Sequence, residues 1–505
     1  MNVKFSTEKI CGIIVQFRKL RKLSSISFLL VLSCMSTVHG SDLYIGRAEA
    51  NITPDLPVAL QGQFYLRIGY TARTPLLANV VALEMRNGEN SLEQTIFVAC
   101  DLVFIPTVLT ELVRKQVQQQ IPGLDVKKIV LSATHTHTSP VIESGFYIIP
   151  KLGVSQPEEY QQLFAQKVTE AIVKAWKARS SGSVTWGLTT ATIGHNRRAV
   201  YNDGTAKMYG NTNLPEFQNI EGYEDHDVNT LFFWNKAGKL IATSIDVPCP
   251  AQEVEGDTTV DADYWHAVRV SLKKRFGSGL LVMGWIGAAG DQSPHLMYGK
   301  KAEERMHSLS KLSRIDAIAQ RIVNAVEEAY ETVKKDRRTN VILAHKVETL
   351  TLPMRIITEV EYKDSKTISD EAAAQIAADP KAAGKLNGRM IWYGDIVNRF
   401  EMQKTNPKPI YDTEIHVIRL GDVAICTNQF ELFTDFGIRI QARSKALQTF
   451  IIQLAGPGTY LPTSKAVVGG GYSAVCQSNS VGPEGGQILV DRTIKLIDDM
   501  FIEAK

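Results

Sequence analysis

Along the chain, apolar runs of strand length alternate with stretches whose apolar positions recur every three to four residues, the signatures of buried strands and amphipathic helices. Thr95 to Ile105 reads as a buried strand, followed by a helix reaching Gln120. Lys128 to Thr134 reads as a second strand and Gln156 to Ala178 as a long helix. Ser183 to Gly194, Asn229 to Trp234 and Leu240 to Val247 read as strands, and a helix from Ala262 to Phe276 leads into an apolar strand, Gly279 to Ile286. Arg314 to Lys334 is helical, with its apolar residues on one face. A strand from Ile415 to Cys426, a helix from Leu432 to Arg443, a strand from Phe450 to Leu454 and a closing helix from Gln487 to Ile502 complete the series. This alternation predicts an α/β fold, a layered mixed sheet with flanking helices, forming one large catalytic domain over residues 41–505. The polar, alanine-rich stretch Ile356 to Pro409 reads as a helical insertion or lid. No internal repeat is visible.

Apolar residues make up 44% of the chain and charged residues 22%, which excludes disorder, collagen and coiled coil as the main theme. The net charge of +3 is set by the first 40 residues, where Lys4, Lys9, Arg18, Lys19, Arg21 and Lys22 face Glu8 alone. The body is close to neutral, which argues against a nucleic-acid partner. The basic flank, the apolar run Ile26 to Met35 and the small residues ending at Gly40 predict a signal segment over residues 1–40, cleaved after Gly40. Leu32-Ser33-Cys34 offers acylation at Cys34 as the alternative. Either way the chain is expected to be exported: secreted, periplasmic or lipid-anchored at the cell surface. Cys100, Cys249, Cys426 and Cys476 are too few for a disulfide framework. Cys100 and Cys426 lie in strand-like runs and read as small core residues, whereas Cys249 lies between two prolines.

Four segments carry candidate chemistry, and each follows an apolar strand, where open α/β sheets gather their ligands. In Ser132 to Pro140, His135 and His137 stand two residues apart and can converge if the strand persists; imidazole suits zinc, and two solvated strand-end histidines are the alternative. In Gly287 to His295, Asp291, Ser293 and His295 are possible actors in what is otherwise a turn-forming loop. In Asn428 to Thr434, Glu431 stands near a helix N-terminus, where a carboxylate is favoured for structural reasons alone. The glycine-rich loops with Tyr460 and Tyr472 either line a pocket or are ordinary loops.

Together and in this order these segments resemble the neutral, non-lysosomal ceramidases, zinc-dependent amidases that cleave the N-acyl bond of ceramide. The resemblance runs from Tyr44 to the C-terminus. It rests on Glu49-Ala50-Asn51-Ile52-Thr53-Pro54, Thr71 to Leu76, Ala133-Thr134-His135-Thr136-His137, Asn196-Arg197, Gly290-Asp291-Gln292-Ser293-Pro294, and Thr459-Tyr460-Leu461-Pro462-Thr463 with Tyr472 beyond. It implies His135, Glu431 and Tyr460 as zinc ligands, Ser293 as the active-site serine, and His137, Arg197 and Tyr472 as groups that polarise the amide and stabilise the transition state. The family's second zinc histidine is missing. Counting back from Asp263 places Cys249 there, and a thiolate is a good zinc ligand. His226 or His266 as substitute, or loss of the metal, are the alternatives. The family's C-terminal β-sandwich is expected to be absent.

The resemblance therefore implies a secreted Zn2+-dependent amidohydrolase of sphingolipid-like, N-acylated substrates, working through a metal-activated water, with peripheral membrane contact. The same scaffold hydrolysing a glycan or ester, and a non-catalytic binding protein on a decayed site, are the competing expectations.

Overall fold

The structure, a computed structural model, describes residues 42–502; the basic flank, the apolar run, Cys34 and the Gly40 boundary lie outside them. Residues from Ser41 onward form one unit. Its larger sheet has eight strands: β1 (Asp42–Asn51), β2 (Leu77–Asn87), β3 (Asn90–Cys100), β4 (Ile129–Ala133), β5 (Ser180–Thr190), β6 (Asp227–Asn235), β7 (Leu240–Val247) and β8 (Leu281–Ile286). Their spatial order is β8-β7-β6-β5-β1-β2-β3-β4. A second sheet holds β9 (Leu343–Pro353), β10 (Ile410–Leu420), β11 (Val423–Thr427) and β12 (Gln448–Ile452), in that order. The helices that matter here are α1 (Thr107–Gln120), α2 (Pro157–Lys177), α3 (Tyr264–Phe276), α4 (Arg314–Val333), α5 (Glu359–Ala378), α6 (Ala383–Thr405), α7 (Thr434–Arg443) and α8 (Pro483–Met500).

Within both sheets the pairings are antiparallel except β3/β4, β7/β8 and β11/β12. Parallel neighbours need a crossover, and α1, α3 and α7 supply it. One unit of three antiparallel strands, a helix and a fourth strand parallel to the third thus occurs three times: β1–β4 with α1, β5–β8 with α3, and β9–β12 with α7. The repeat that the sequence does not display is present in the topology.

The two sheets face each other through Phe97, Trp186, Phe233 and Trp285 on one side and Leu343, Ile418, Ile425 and Phe450 on the other. Outside the larger sheet, α1 and α2 cover one half and α3 and α4 the other. Outside the smaller one lie α7 and α8. The result is four layers, helix, sheet, sheet, helix, the mixed α/β arrangement the alternation predicts. Both faces of the strands are covered, so they read as continuous apolar runs rather than alternating ones.

Some elements depart from expectation. The run expected as one strand from Ile415 to Cys426 is a hairpin, because Gly421, at φ 63°, reverses the chain and pairs Leu420 with Val423. β2 and β9 are not among the expected strands, and β1 is expected only from its end at Glu49, through the family's opening strand. The alanine-rich stretch forms the antiparallel hairpin α5–α6, started by a Thr358/Glu361 capping box. No helix among the described residues is long and apolar enough to cross a membrane.

Candidate active site

Loops that follow the third and fourth strands of the three units meet on one side of the molecule. β4 ends at Ala133, and the chain enters the Thr134–Ser139 loop through His135 at φ 64°. A non-glycine residue there is strained and is retained where the surroundings hold it. The holding contact is His135 Nδ1 to the Val103 carbonyl at 2.6 Å. A carbonyl only accepts, so Nδ1 carries the proton and Nε2 presents a lone pair. His135 and His137 do converge, with Nε2 atoms 3.2 Å apart, but through this loop conformation rather than a continued strand.

His137 packs against Gly62, where a Cβ would come within 2.5 Å of its ring. Arg67 fixes the surrounding backbone: its guanidinium donates to the carbonyls of Gln61 (2.5 Å), His137 (2.6 Å), Glu255 (2.8 Å) and Asp257 (2.7 Å). Burial, followed by the charges of His135, Arg67 and Arg197, holds the His137 pKa well below the usual imidazole range, so the ring is neutral.

Glu431 sits not in a helical turn but on the short strand Glu431–Leu432, paired in parallel with Tyr460–Leu461, and α7 begins only at Thr434. The register places Glu431 directly opposite Tyr460. Glu431 Oε2 lies 3.4 Å from His135 Nε2. The Tyr460 hydroxyl pairs with Glu431 and accepts from Arg197 at 3.1 Å. Arg197 is buried and also reaches the Gly290 carbonyl (3.1 Å), the Tyr209 hydroxyl and the Gln252 side-chain oxygen (both 3.2 Å). Burial works against its charge, but Tyr460, Tyr209 and Glu431 outweigh that and raise its pKa well above the usual value. Tyr472 stacks edge-on to Tyr460, with ring centroids 5.6 Å apart; burial pushes the pKa of both hydroxyls up.

The Gly290-Asp291 segment acts as a clasp. Gly290 N–H donates to the Leu432 carbonyl at 2.8 Å, and a Cβ on Gly290 would meet the Glu431 carbonyl oxygen at 2.3 Å. Asp291 accepts from Thr434 N–H (2.8 Å) and hydroxyl (2.7 Å) with one oxygen and from Asn196 (2.8 Å) with the other. Ser293 is fully buried and pairs with His195 in a two-residue strand. Its hydroxyl contacts the Tyr209 hydroxyl and accepts from His295 N–H at 3.3 Å. It is not on the cavity wall.

Cys249 takes a different place from the one the resemblance implies. It is packed among Ile193, Val247 and Tyr264, with Sγ 3.6 Å from the Pro250 carbonyl. Burial, reinforced by the Asp263 charge, pushes its thiol pKa up. The residue of this loop that reaches the cluster is Gln252. Its Oε1 accepts from Arg197, so its Nε2 donates to His137 Nε2 at 2.7 Å. His226 faces Glu224 at 3.4 Å and His266 lies on α3; neither lines the cavity. Sequence reasoning missed Gln252, Arg67 and Tyr209. A polar residue just past Pro250-Ala251, in a loop leaving an apolar strand, was the one available signal, and it pointed to Gln252.

His135, His137, Glu431, Tyr460 and Tyr472 line a half-open cavity of about 170 Å³ whose walls include Phe64 and Phe146. A larger cavity, about 640 Å³, opens where β1 and β5 part, beside Arg47, Lys174 and Lys273. It contains none of the candidate residues, so chemistry and not size selects the smaller one.

Among the described residues no three His, Cys, Asp or Glu side chains converge as a metal-holding group. The donors that do converge are His135 Nε2, the Glu431 carboxylate and the Tyr460 oxygen. His135 Nε2 lies 3.4 Å from the Glu431 carboxylate, a spacing that a cation held between them would bridge. Three N/O donors with an open position are what a catalytic zinc requires. The donor set therefore fits zinc through His135, Glu431 and Tyr460, without Cys249.

The fold is similar to that of the neutral ceramidase from Pseudomonas aeruginosa, with a TM-score of 0.66, 17% identity, and coverage of 91% of this chain and 75% of that one. It is also similar to a ceramidase complexed with C2, with a TM-score of 0.64, 15% identity, and coverage of 91% and 76%. No protein-family profile and no curated protein matches the chain. At these identities the likeness is one of fold: this is a ceramidase-like fold.

Proposed function

We propose that the chain is a zinc-dependent hydrolase that cleaves the N-acyl amide bond of an exported or external substrate. The observation that carries this reading is the His135 Nε2 lone pair, freed by the Val103 carbonyl and set 3.4 Å from Glu431 on the floor of an aromatic-walled cavity. The ceramidase-like fold supports amide rather than other acyl chemistry.

His135, Glu431 and Tyr460 would hold the metal, which when bound supplies a Lewis acid and a water ionised near neutral pH. Arg197 is the fixed cation of the site: four partners hold it behind the cavity wall, where its charge steadies the negative charge developing on the carbonyl oxygen, while the Tyr472 hydroxyl on the wall is the donor that faces it. One such preorganised donor is worth roughly 3–4 kcal/mol of barrier. His137 is neutral and its Nε2 accepts from Gln252; it acts as the site's proton carrier when that bond is exchanged, Nε2 then taking a proton from the attacking water and returning it to the leaving nitrogen. The Tyr472 hydroxyl, kept protonated, donates from the wall. Ser293 is a positioning residue in this scheme, because its hydroxyl orients Tyr209, and Tyr209 orients Arg197.

The test is metal content, by mass spectrometry, and amine release from N-acyl amides, with esters and glycosides run alongside. Wild type is expected to carry stoichiometric zinc and release amine. His135→Gln and Glu431→Gln should lose both the metal and at least about a hundredfold in rate. Absence of zinc after chelator-free purification with zinc supplied would refute the metal assignment. Hydrolysis of esters or glycosides but not amides would refute the bond assignment. Ligand binding without turnover of any of these would favour a binding protein.

A further inference from the structure

The size and backing of the cavity bear on what its acyl group can be. A space of about 170 Å³ is comparable to the ~150 Å³ that accepts one benzene. Its walls are rings, Phe64, Phe146 and Tyr472, and they are held from behind by the α5–α6 hairpin. Trp392 of α6 stands against Phe64 edge-on at 5.1 Å between centroids, and against Tyr472 at 5.8 Å. Gly388, one turn earlier, lets α6 come so close that a Cβ would meet the Phe146 ring at 2.7 Å and the Phe64 carbonyl at 2.8 Å. Asn387 donates to the carbonyls of Gly145 (3.0 Å) and Phe146 (2.9 Å), and the Gly384 carbonyl accepts from Leu66 N–H at 3.3 Å. Phe64 and Phe146 are thus pinned to α6 through both ring packing and backbone contacts and have no room to swing outward.

We infer that the substrate is an N-acyl amine whose acyl part is short or a single ring, and that Trp392 is the specificity-determining residue that sets the limit. The inference rests on the reading of this cavity as the acyl site. A chain longer than the cavity leaves its further methylenes in water, where they contribute nothing. If they were buried, each would raise kcat/KM about fourfold.

Two measurements test it, one of which needs no turnover. The first is kcat/KM across N-acetyl, N-butanoyl, N-benzoyl, N-octanoyl and N-palmitoyl amides of one amine. Wild type should reach its maximum at butanoyl or benzoyl and stay level beyond. Trp392→Ala should shift the octanoyl-to-butanoyl ratio upward by about fifteenfold, the effect of burying roughly two more methylenes, and Trp392→Phe should keep the wild-type profile. The second is calorimetric binding of benzamide and octanamide. Wild type should bind benzamide more tightly, and Trp392→Ala should narrow or reverse the order. A steady rise of kcat/KM through palmitoyl would overturn the inference while leaving the hydrolase intact. Failure to cleave any amide would count against the hydrolase, and the calorimetric order would then decide the cavity limit. Equal binding of the two amides by wild type would overturn it, as would an unchanged order in a folded Trp392→Ala protein.

Discussion

Cys249 and Gln252 stand three residues apart in one loop and make opposite predictions. Cys249 is fully buried among apolar side chains, so Cys249→Ala removes one heavy atom from a packed region and costs about 1 kcal/mol. For a chain of this size that is a fall in Tm of at most about 2 °C, with metal content and rate unchanged. Gln252 bridges His137 Nε2 and Arg197. Gln252→Ala leaves a buried donor on Arg197 and a buried acceptor on His137 without a partner, at about 1–3 kcal/mol each. The released Arg197 no longer keeps its charge fixed behind the reacting carbonyl, and misplacement on the ångström scale is worth about a hundredfold in rate. Thermal melting, zinc content and amide hydrolysis measured on both variants separate the two residues. Loss of zinc and activity in Cys249→Ala, with Gln252→Ala near wild type, would refute this reasoning and return the cysteine to the metal.

Three further outcomes are expected. Gly290→Ala should lower both Tm and activity, because its Cβ meets main-chain atoms of Glu431 that cannot move aside; a variant with wild-type melting and rate would show that the clasp is dispensable. Asp101 and Arg269 form a buried bidentate pair at 2.6 and 2.8 Å, and Asp101 also accepts from Leu77 N–H (2.8 Å) and the Thr134 hydroxyl (3.1 Å), beside His135. Arg269→Met should therefore cost about 3–5 kcal/mol in denaturant unfolding, with the double variant carrying Asp101→Asn less affected; equal losses in both would contradict the charge-burial argument. Between the sheets, Thr95, His345, His416, Glu414 and Arg114 form a hydrogen-bonded chain. Burial lowers the pKa of both histidines below the unfolded value of about 6.5, helped at His345 by His416 and Lys128 and opposed at His416 by Glu414, so the unfolded chain binds their protons first and stability falls as pH drops below that value. Glu414 resists burial through His416 and Arg114 and is lowered to about 2, so its contribution is present above about pH 4.3 and is lost toward 2. Tm measured from pH 8 to 3 should decline in these two stages, and Glu414→Gln should remove the lower one; a flat profile would exclude the chain as the cause.

The mixed α/β layering and the placement of the chemistry after strand ends were legible because β3, β4, β8, β11 and β12 are buried on both faces and read as uninterrupted apolar runs. The threefold unit was not legible, because the three copies share topology and burial without sharing residues: His135, Asp291 and Tyr460 occupy comparable loops with unrelated chemistry. Spacing along a loop between two prolines does not say which side chain turns inward, and the inward one is Gln252. The strain at His135 and the pairing of Glu431 with Tyr460 arise from contacts between distant segments, which no local pattern encodes.

The threefold unit also bears on how the molecule holds together. The floor of the cavity takes His135 and His137 from the first unit and Glu431 and Tyr460 from the third, and Gln252 and Arg197 of the second back it through His137 and Tyr460. It cannot exist until all three have docked, so any ligand that bridges these loops works as a keystone. Its binding energy is felt only by the fully assembled chain, about 2.7 kcal/mol at a hundred times its Kd. Occupancy should thus slow the parting of the two sheets as well as stabilise the cavity itself.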